Sequence, residues 1–176
     1  MLYIIGAILI LGIVFLVQRL SASGEIFSRF GVRESTHRLL STDLGKSSGR
    51  IKLSRFGING IADAVFESLS GKKILVGEFK SRKYRGEVRL YELYQIMLYM
   101  GHIKAEYPNH SVEGCLAYAD GMVKVVFDKA VYDALTGLKR EYWETVRNRR
   151  PVNTTPLHKR MNVRAENRTL RLSARM

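Results

Sequence analysis

The sequence predicts an α/β domain with the core order αβββαβ, preceded by a single apolar helix at the N-terminus. Three observations carry this. Short runs rich in Ile, Val, Leu and Phe are separated by Gly and Ser. A long stretch of helical spacing follows the third run and stops at Pro108. The chain opens on an apolar run with no polar face.

That opening run comes first. Leu2 to Val17 has no polar side chain except the Tyr3 hydroxyl, and the first charge is Arg19. With Met1 and Gln18 it reaches the ~17–25 residues that span a bilayer. Residues 1–20 therefore read as a transmembrane anchor and 21–28 as a linker. Ser21-Ala22-Ser23-Gly24 leaves a cleaved signal peptide as the alternative, although nothing basic precedes the run. Arg19, Arg29, Arg33 and Arg38 all follow it. The positive-inside tendency then predicts a single-pass protein of the cell membrane, with the N-terminus outside and the remainder cytoplasmic.

The domain proper is expected over 29–147, long enough for one core and not two. A helix is expected near 30–40, then a Gly/Ser-rich loop over 41–50. Strands are expected near 51–56, 60–68 and 74–81, with Gly57-Ile58-Asn59-Gly60 as a break or tight turn. A helix covers about 88–107. Strands follow near 113–119 and 123–128, around Asp120-Gly121. A last amphipathic helix runs from 129 to about 147, with Val131, Leu135, Leu138 and Tyr142 at core spacing and Trp143 as packing. Residues 148–176 are basic, contain Pro151 and Pro156 and few large apolar groups, and read as a disordered tail.

The chemistry is concentrated in Asp63, Glu78 and Lys80. Ser70-Gly71-Lys72-Lys73 joins two strand-like segments, so Asp63 and Glu78 approach if these pair as a hairpin. Side chains alternate along a strand, so Glu78 and Lys80 share a face. Two carboxylates suit Mg²⁺ or Mn²⁺, with the Phe79 carbonyl as a third protein oxygen. A metal there would activate a water against a phosphodiester, and Lys80 would orient that water or stabilise developing charge. The plain alternative is a surface hairpin with solvated charges. In the next helix Gln95 and Tyr99 stand four apart on one face. Alone they would read as a solvated amide and a core aromatic.

In this order, Gly60…Asp63, Ile74-Leu75-Val76-Gly77-Glu78-Phe79-Lys80 and Gln95…Tyr99 resemble the RecB/Cas4-like branch of the PD-(D/E)xK nuclease superfamily. The resemblance covers roughly residues 50–130. It implies a restriction-endonuclease-like fold with a central mixed sheet and flanking helices. It also implies that Asp63 and Glu78 bind metal, that Lys80 is catalytic, and that Gln95 and Tyr99 line the site. Many Cas4-type members hold an iron–sulfur cluster on four cysteines; Cys115 is the only cysteine here, so no cluster and no internal disulfide is expected. Some members use a histidine upstream of the motif Asp as a ligand. His37 is the only upstream histidine, with Glu34 one helical turn before it as a further option.

Charge names the partner class. The chain carries 29 Lys+Arg against 16 Asp+Glu, a formal charge of +13, which attracts nucleic acid or an anionic membrane surface. Arg82, Lys83, Tyr84 and Arg85, between the acid-x-lysine strand and the Gln95 helix, read as a substrate-gripping loop, with Tyr84 free to stack on a base. From Arg147 onward the only acid is Glu166, so the tail reads as a second phosphate- or lipid-touching element. The expected function is a membrane-anchored, Mg²⁺- or Mn²⁺-dependent nuclease acting on DNA, with RNA left open. The alternatives are a non-cutting nucleic-acid-binding or membrane-tethering module of the same fold, and a basic domain that grips anionic lipid.

Overall fold

The computed structural model describes residues 24–44 and 51–174. The predicted membrane anchor lies outside these residues. Among the described residues, no helix is long and apolar enough to cross a membrane.

A short helical segment, α1 (residues 24–29), leads into strand β1 (His37–Thr42). A small hairpin follows, β2 (Lys52–Arg55) and β3 (Ile58–Ile61). Then come β4 (Ala64–Ser68), β5 (Lys73–Lys80), a two-residue β6 (Val88–Arg89) and the long helix α2 (Leu90–Glu106). Strands β7 (Ser111–Tyr118) and β8 (Gly121–Val126) complete the main sheet. Helices α3 (Lys129–Gly137), α4 (Lys139–Asn148) and α5 (Leu157–Arg160) and the short β9 (Leu172–Ser173) close the chain.

The main sheet is mixed, in the order β1-β4-β5-β7-β8. Its one parallel pair is β5 with β7, joined through α2; a parallel crossover of this length needs such a helix. Alternation along the central strands sorts two cores. Ile74 and Val76 of β5 and Val112 and Leu116 of β7 join Leu93, Ile96, Met97, Met100 and Ile103 of α2. Leu75 of β5 and Cys115 and Ala117 of β7 face the other way, onto Phe27, Phe30 and Phe66. Each fully buried side chain of this size contributes about 1.5–3 kcal/mol. The same alternation aims Glu78 and Lys80 at the α2 side. Close approach of the layers needs bare backbone: a Cβ on Gly77 would lie 2.6 Å from the Phe30 ring, and one on Gly114 would lie 2.9 Å from Ile96.

Four expectations are corrected. The segment expected as a helix over 30–40 is a turn followed by β1, because His37–Thr42 finds an antiparallel partner in β4. The strand expected over 60–68 is two strands in two sheets, broken at Ala62-Asp63. The hairpin turn is centred two residues earlier than expected, on Phe56 and Gly57, both with positive φ (55° and 72°), the conformation that matches the twist of paired strands. The last helix breaks at Leu138 into α3 and α4. Asp128 caps α3 by accepting from the Val131 amide at 3.1 Å.

The basic tail is also packed where it is described. Val163 and Asn167 are buried. Asn167 holds the Val126 backbone by both bonds: its Oδ1 accepts from the amide at 2.8 Å and its Nδ2 donates to the carbonyl at 3.0 Å. Arg160 clasps Glu141 of α4 with two bonds, and β9 pairs with β6 in parallel. A few well-placed polar contacts order a segment whose composition alone predicts disorder.

Candidate active site

The break between β3 and β4 places Asp63. Thr42 Oγ1 and the Asp43 amide both donate to the Asp63 carbonyl, at 2.7 and 3.0 Å, so the end of β1 holds the backbone at the turn. The Asp63 side chain then reaches β5: its Oδ2 accepts from the Phe79 amide at 2.6 Å. Its carboxylate thereby lies beside the residue that follows Glu78.

Glu78 is 6% exposed. Its Oε1 accepts from Lys80 Nζ at 3.0 Å and from Gln95 Nε2 at 2.7 Å. Its Oε2 is buried and has no hydrogen-bond partner among the described residues. Gln95 also accepts from Lys80 Nζ at 2.7 Å, through Oε1, and donates from Nε2 to Tyr99 Oη at 3.1 Å. Lys80, Glu78, Gln95 and Tyr99 thus form one chain of bonds between β5 and α2. The motif glycine has a steric reason: a Cβ on Gly60 would lie 2.3 Å from the Tyr99 ring.

The electrostatics agree with this crowding. Burial raises the Glu78 carboxyl above its ordinary value, and the Asp63 charge raises it further, against the pull of Lys80 and of the Asp63 backbone amide. Burial also raises Asp63, against the Phe79 amide and Lys80. Two buried acids, each held above its ordinary value, form a ready receptor for a cation. Two carboxylates, one with an orphaned buried oxygen, fit a hard divalent ion that keeps waters and phosphate oxygens as its other ligands. Among the described residues no group of three or more His, Cys, Asp or Glu is arranged for a metal. The donor set is therefore the acid pair.

Two predicted site elements are corrected. His37 lies at the far end of β1: it pairs with Ser68, whereas Thr42 pairs with Ala64 next to Asp63. At about 3.3 Å per residue, His37 is roughly 15 Å from the acids. Burial and then nearby Lys73 lower its pKa, which places it by the start of β5. Glu34 precedes β1 in a turn and shares no helix face with it.

The predicted phosphate-gripping loop divides. Arg82 is locked inward. Its Nε and Nη2 donate to the two oxygens of fully buried Glu92, at 2.8 and 2.7 Å. Its other donors go to the carbonyls of Lys83, Tyr84 and Glu87. Tyr84 packs on Tyr118, with centroids 5.2 Å apart, so its ring serves the core. Lys83 and Arg85 remain exposed. Burial raises Glu92, but Arg82, the Arg89 amide and the Tyr118 hydroxyl outweigh it and hold the carboxyl below its usual value.

Three contributors escaped the sequence reading. Glu92 stands one turn before Gln95 on α2, a spacing that could have flagged it. Asp43, whose charge raises Asp63, was hidden by the misassigned β1. The Arg29 guanidinium lies 4.4 Å over the Phe79 ring, a contact no local pattern signals.

No protein-family model matches the chain, and no curated protein matches it. Solved structures do. An EndoMS–dsDNA complex is similar over 57% of this chain and 37% of that one, at 20% identity and a TM-score of 0.34. The crystal structure of SSO0001 is similar over 72% of this chain and 58% of that one, at 17% identity and a TM-score of 0.33. The chain thus spans less than two thirds of either of these structures.

Proposed function

We propose that the chain is a divalent-metal-dependent nuclease that hydrolyses phosphodiester bonds in DNA. The observation that carries this is Glu78. One oxygen of this buried carboxylate is held by Lys80 and Gln95, and the other has no hydrogen-bond partner among the described residues.

Asp63 and Glu78, with the Phe79 carbonyl, would hold Mg²⁺ or Mn²⁺. Bound there, such an ion supplies a water of lowered pKa and offsets phosphoryl charge. The chain's own groups do the rest. Gln95 fixes the orientation of Glu78 and Lys80 together, because its amide accepts from one and donates to the other. Lys80 spends two of its three N–H donors on Glu78 and Gln95, which leaves one for a substrate oxygen or the attacking water. Tyr99, seated on Gly60, braces Gln95 from behind. The apolar run 2–17 supports placing this activity at a membrane surface.

The test uses the full-length chain in a neutral detergent, with circular and end-labelled DNA and Mg²⁺ or Mn²⁺. Cleavage should require the metal and be lost in Glu78→Ala and Lys80→Ala. Cleavage that persists in both variants rules out this site.

A further inference from the structure

Helix α4 has no buried residue, although it is aromatic in the middle. Tyr142 and Trp143 are 60% and 53% exposed, and their rings meet edge-on with centroids 5.2 Å apart. Beside them a cavity of about 300 Å³ lies between α3–α4 and the tip of the β2–β3 hairpin, lined by Ile58, Leu135, Leu138 and the two rings. Gly57 also lines it, and the adjacent Phe56 is 52% exposed, with the Arg55 guanidinium 4.7 Å over its ring. Large apolar side chains gathered on a surface mark a binding face rather than leftover packing.

The charge around this face is positive. The acids of α4 are engaged: Glu141 by Arg160 through two bonds, and Glu144 by Arg140 at 3.7 Å. Among the described residues, no carboxylate pairs with Lys139, Arg147, Arg149 or Arg150. Flat rings with free cations beside them suit bases and phosphates together.

Position favours nucleic acid over lipid. Lys139 Nζ reaches Gly57, at 2.8 Å from where a Cβ would stand, and the Tyr99 ring covers Gly60 on the same hairpin. Three residues of strand separate these points, about 10 Å. The aromatic face and the Glu78–Lys80–Gln95 cluster are therefore linked by one short β-ribbon.

We infer that Tyr142 and Trp143, with Lys139 and Arg147, form a stacking subsite for a single-stranded segment of nucleic acid next to the acid–lysine cluster. This rests on the nuclease reading for its substrate class, but binding is separable from cutting. The subsite holds unpaired bases against the two rings while the cations hold the phosphates.

Trp143 is the only tryptophan of the chain, so its fluorescence reports this face directly. The full-length chain in neutral detergent is titrated with short oligothymidylate in EDTA, where no cutting occurs. The expected result is saturable quenching, together with oligonucleotide affinity, read by anisotropy, about tenfold weaker in Trp143→Ala and restored in Trp143→Phe. Trp143 lies outside the core, so truncation leaves the fold intact. Quenching by phosphatidylglycerol vesicles but not by oligonucleotide overturns the proposal in favour of a lipid face. Silence with both overturns it outright. Quenching in a chain that never cuts upholds the subsite while the nuclease reading fails. Cutting with no quenching and an unchanged Trp143→Ala does the reverse.

Discussion

Gln95 donates to Glu78 Oε1 at 2.7 Å and leaves Glu78 Oε2 buried without a partner. The helix thereby orients the carboxylate without using it up. A buried unpaired polar atom costs about 1–3 kcal/mol. The cost is intelligible if a cation, present in the working protein, takes the free oxygen.

Metal should stabilise the fold. Mn²⁺ at a hundred times its dissociation constant adds about 2.7 kcal/mol, a rise in Tm of several degrees for a domain of this size. Thermal denaturation with and without Mn²⁺ should show this rise in the native chain. Glu78→Gln should show none.

The acid pair also predicts a pH signature. In the metal-free fold, burial holds the Asp63 and Glu78 carboxyls above their ordinary values. The folded state therefore binds more protons than the unfolded state across that window. Stability from this pair is full below the ordinary carboxylate range and is lost as pH rises through the elevated values. Glu67, Glu92 and Glu141 are held low and act in the opposite sense. The difference in Tm between the native chain and Glu78→Gln isolates the Glu78 member of the pair. In EDTA, Glu78→Gln should gain relative stability as pH rises from about 4 to 8.

Gly60→Ala should disable the site while the core remains. The added methyl meets the Tyr99 ring and must push it off Gln95. A displacement of this kind costs about a hundredfold in rate. Gly60→Ala combined with Tyr99→Ala should recover part of it, because the clash is gone. A double variant slower than the single would mean that the glycine serves some other need.

Arg82 should prove structural. Arg82→Ala leaves the Glu92 charge buried and unpaired, at a cost of about 3–5 kcal/mol in denaturant unfolding. Arg82→Lys should not restore it, because the lysine lacks the two-pronged geometry that both Glu92 oxygens use. Lys83→Ala and Arg85→Ala, both exposed, should change stability by less than about 0.5 kcal/mol.

The tail makes its own prediction. Asn167→Ala removes two bonds to the Val126 backbone and should cost about 1–3 kcal/mol. A disordered tail would tolerate it freely.

The sheet strands and α2 were legible because their signals are local. Ile74-Leu75-Val76 is a strand-like run, and Pro108 stops the helix. The misreading of β1 has a physical cause. Arg38, Leu39 and Leu40 suit a helix or a strand, and only pairing with β4 decides between them. The same holds for the tail, where Asn167 and Arg160 act through partners about 40 and 19 residues away. Trp143 read as packing because its neighbours have core spacing, yet no residue of α4 is buried.

By itself, the sequence determined the acid, acid-x-lysine and glutamine series, and the face that Glu78 shares with Lys80, because alternation along a strand is fixed by backbone geometry. It also determined the strong positive charge and the apolar opening run. Only the tertiary structure decided that Asp63 reaches the Phe79 amide, that His37 stands at the wrong end of its strand, and that Arg82 turns inward to Glu92. Those outcomes depend on strand register and on desolvation by distant segments, and neither is written in any short stretch of residues.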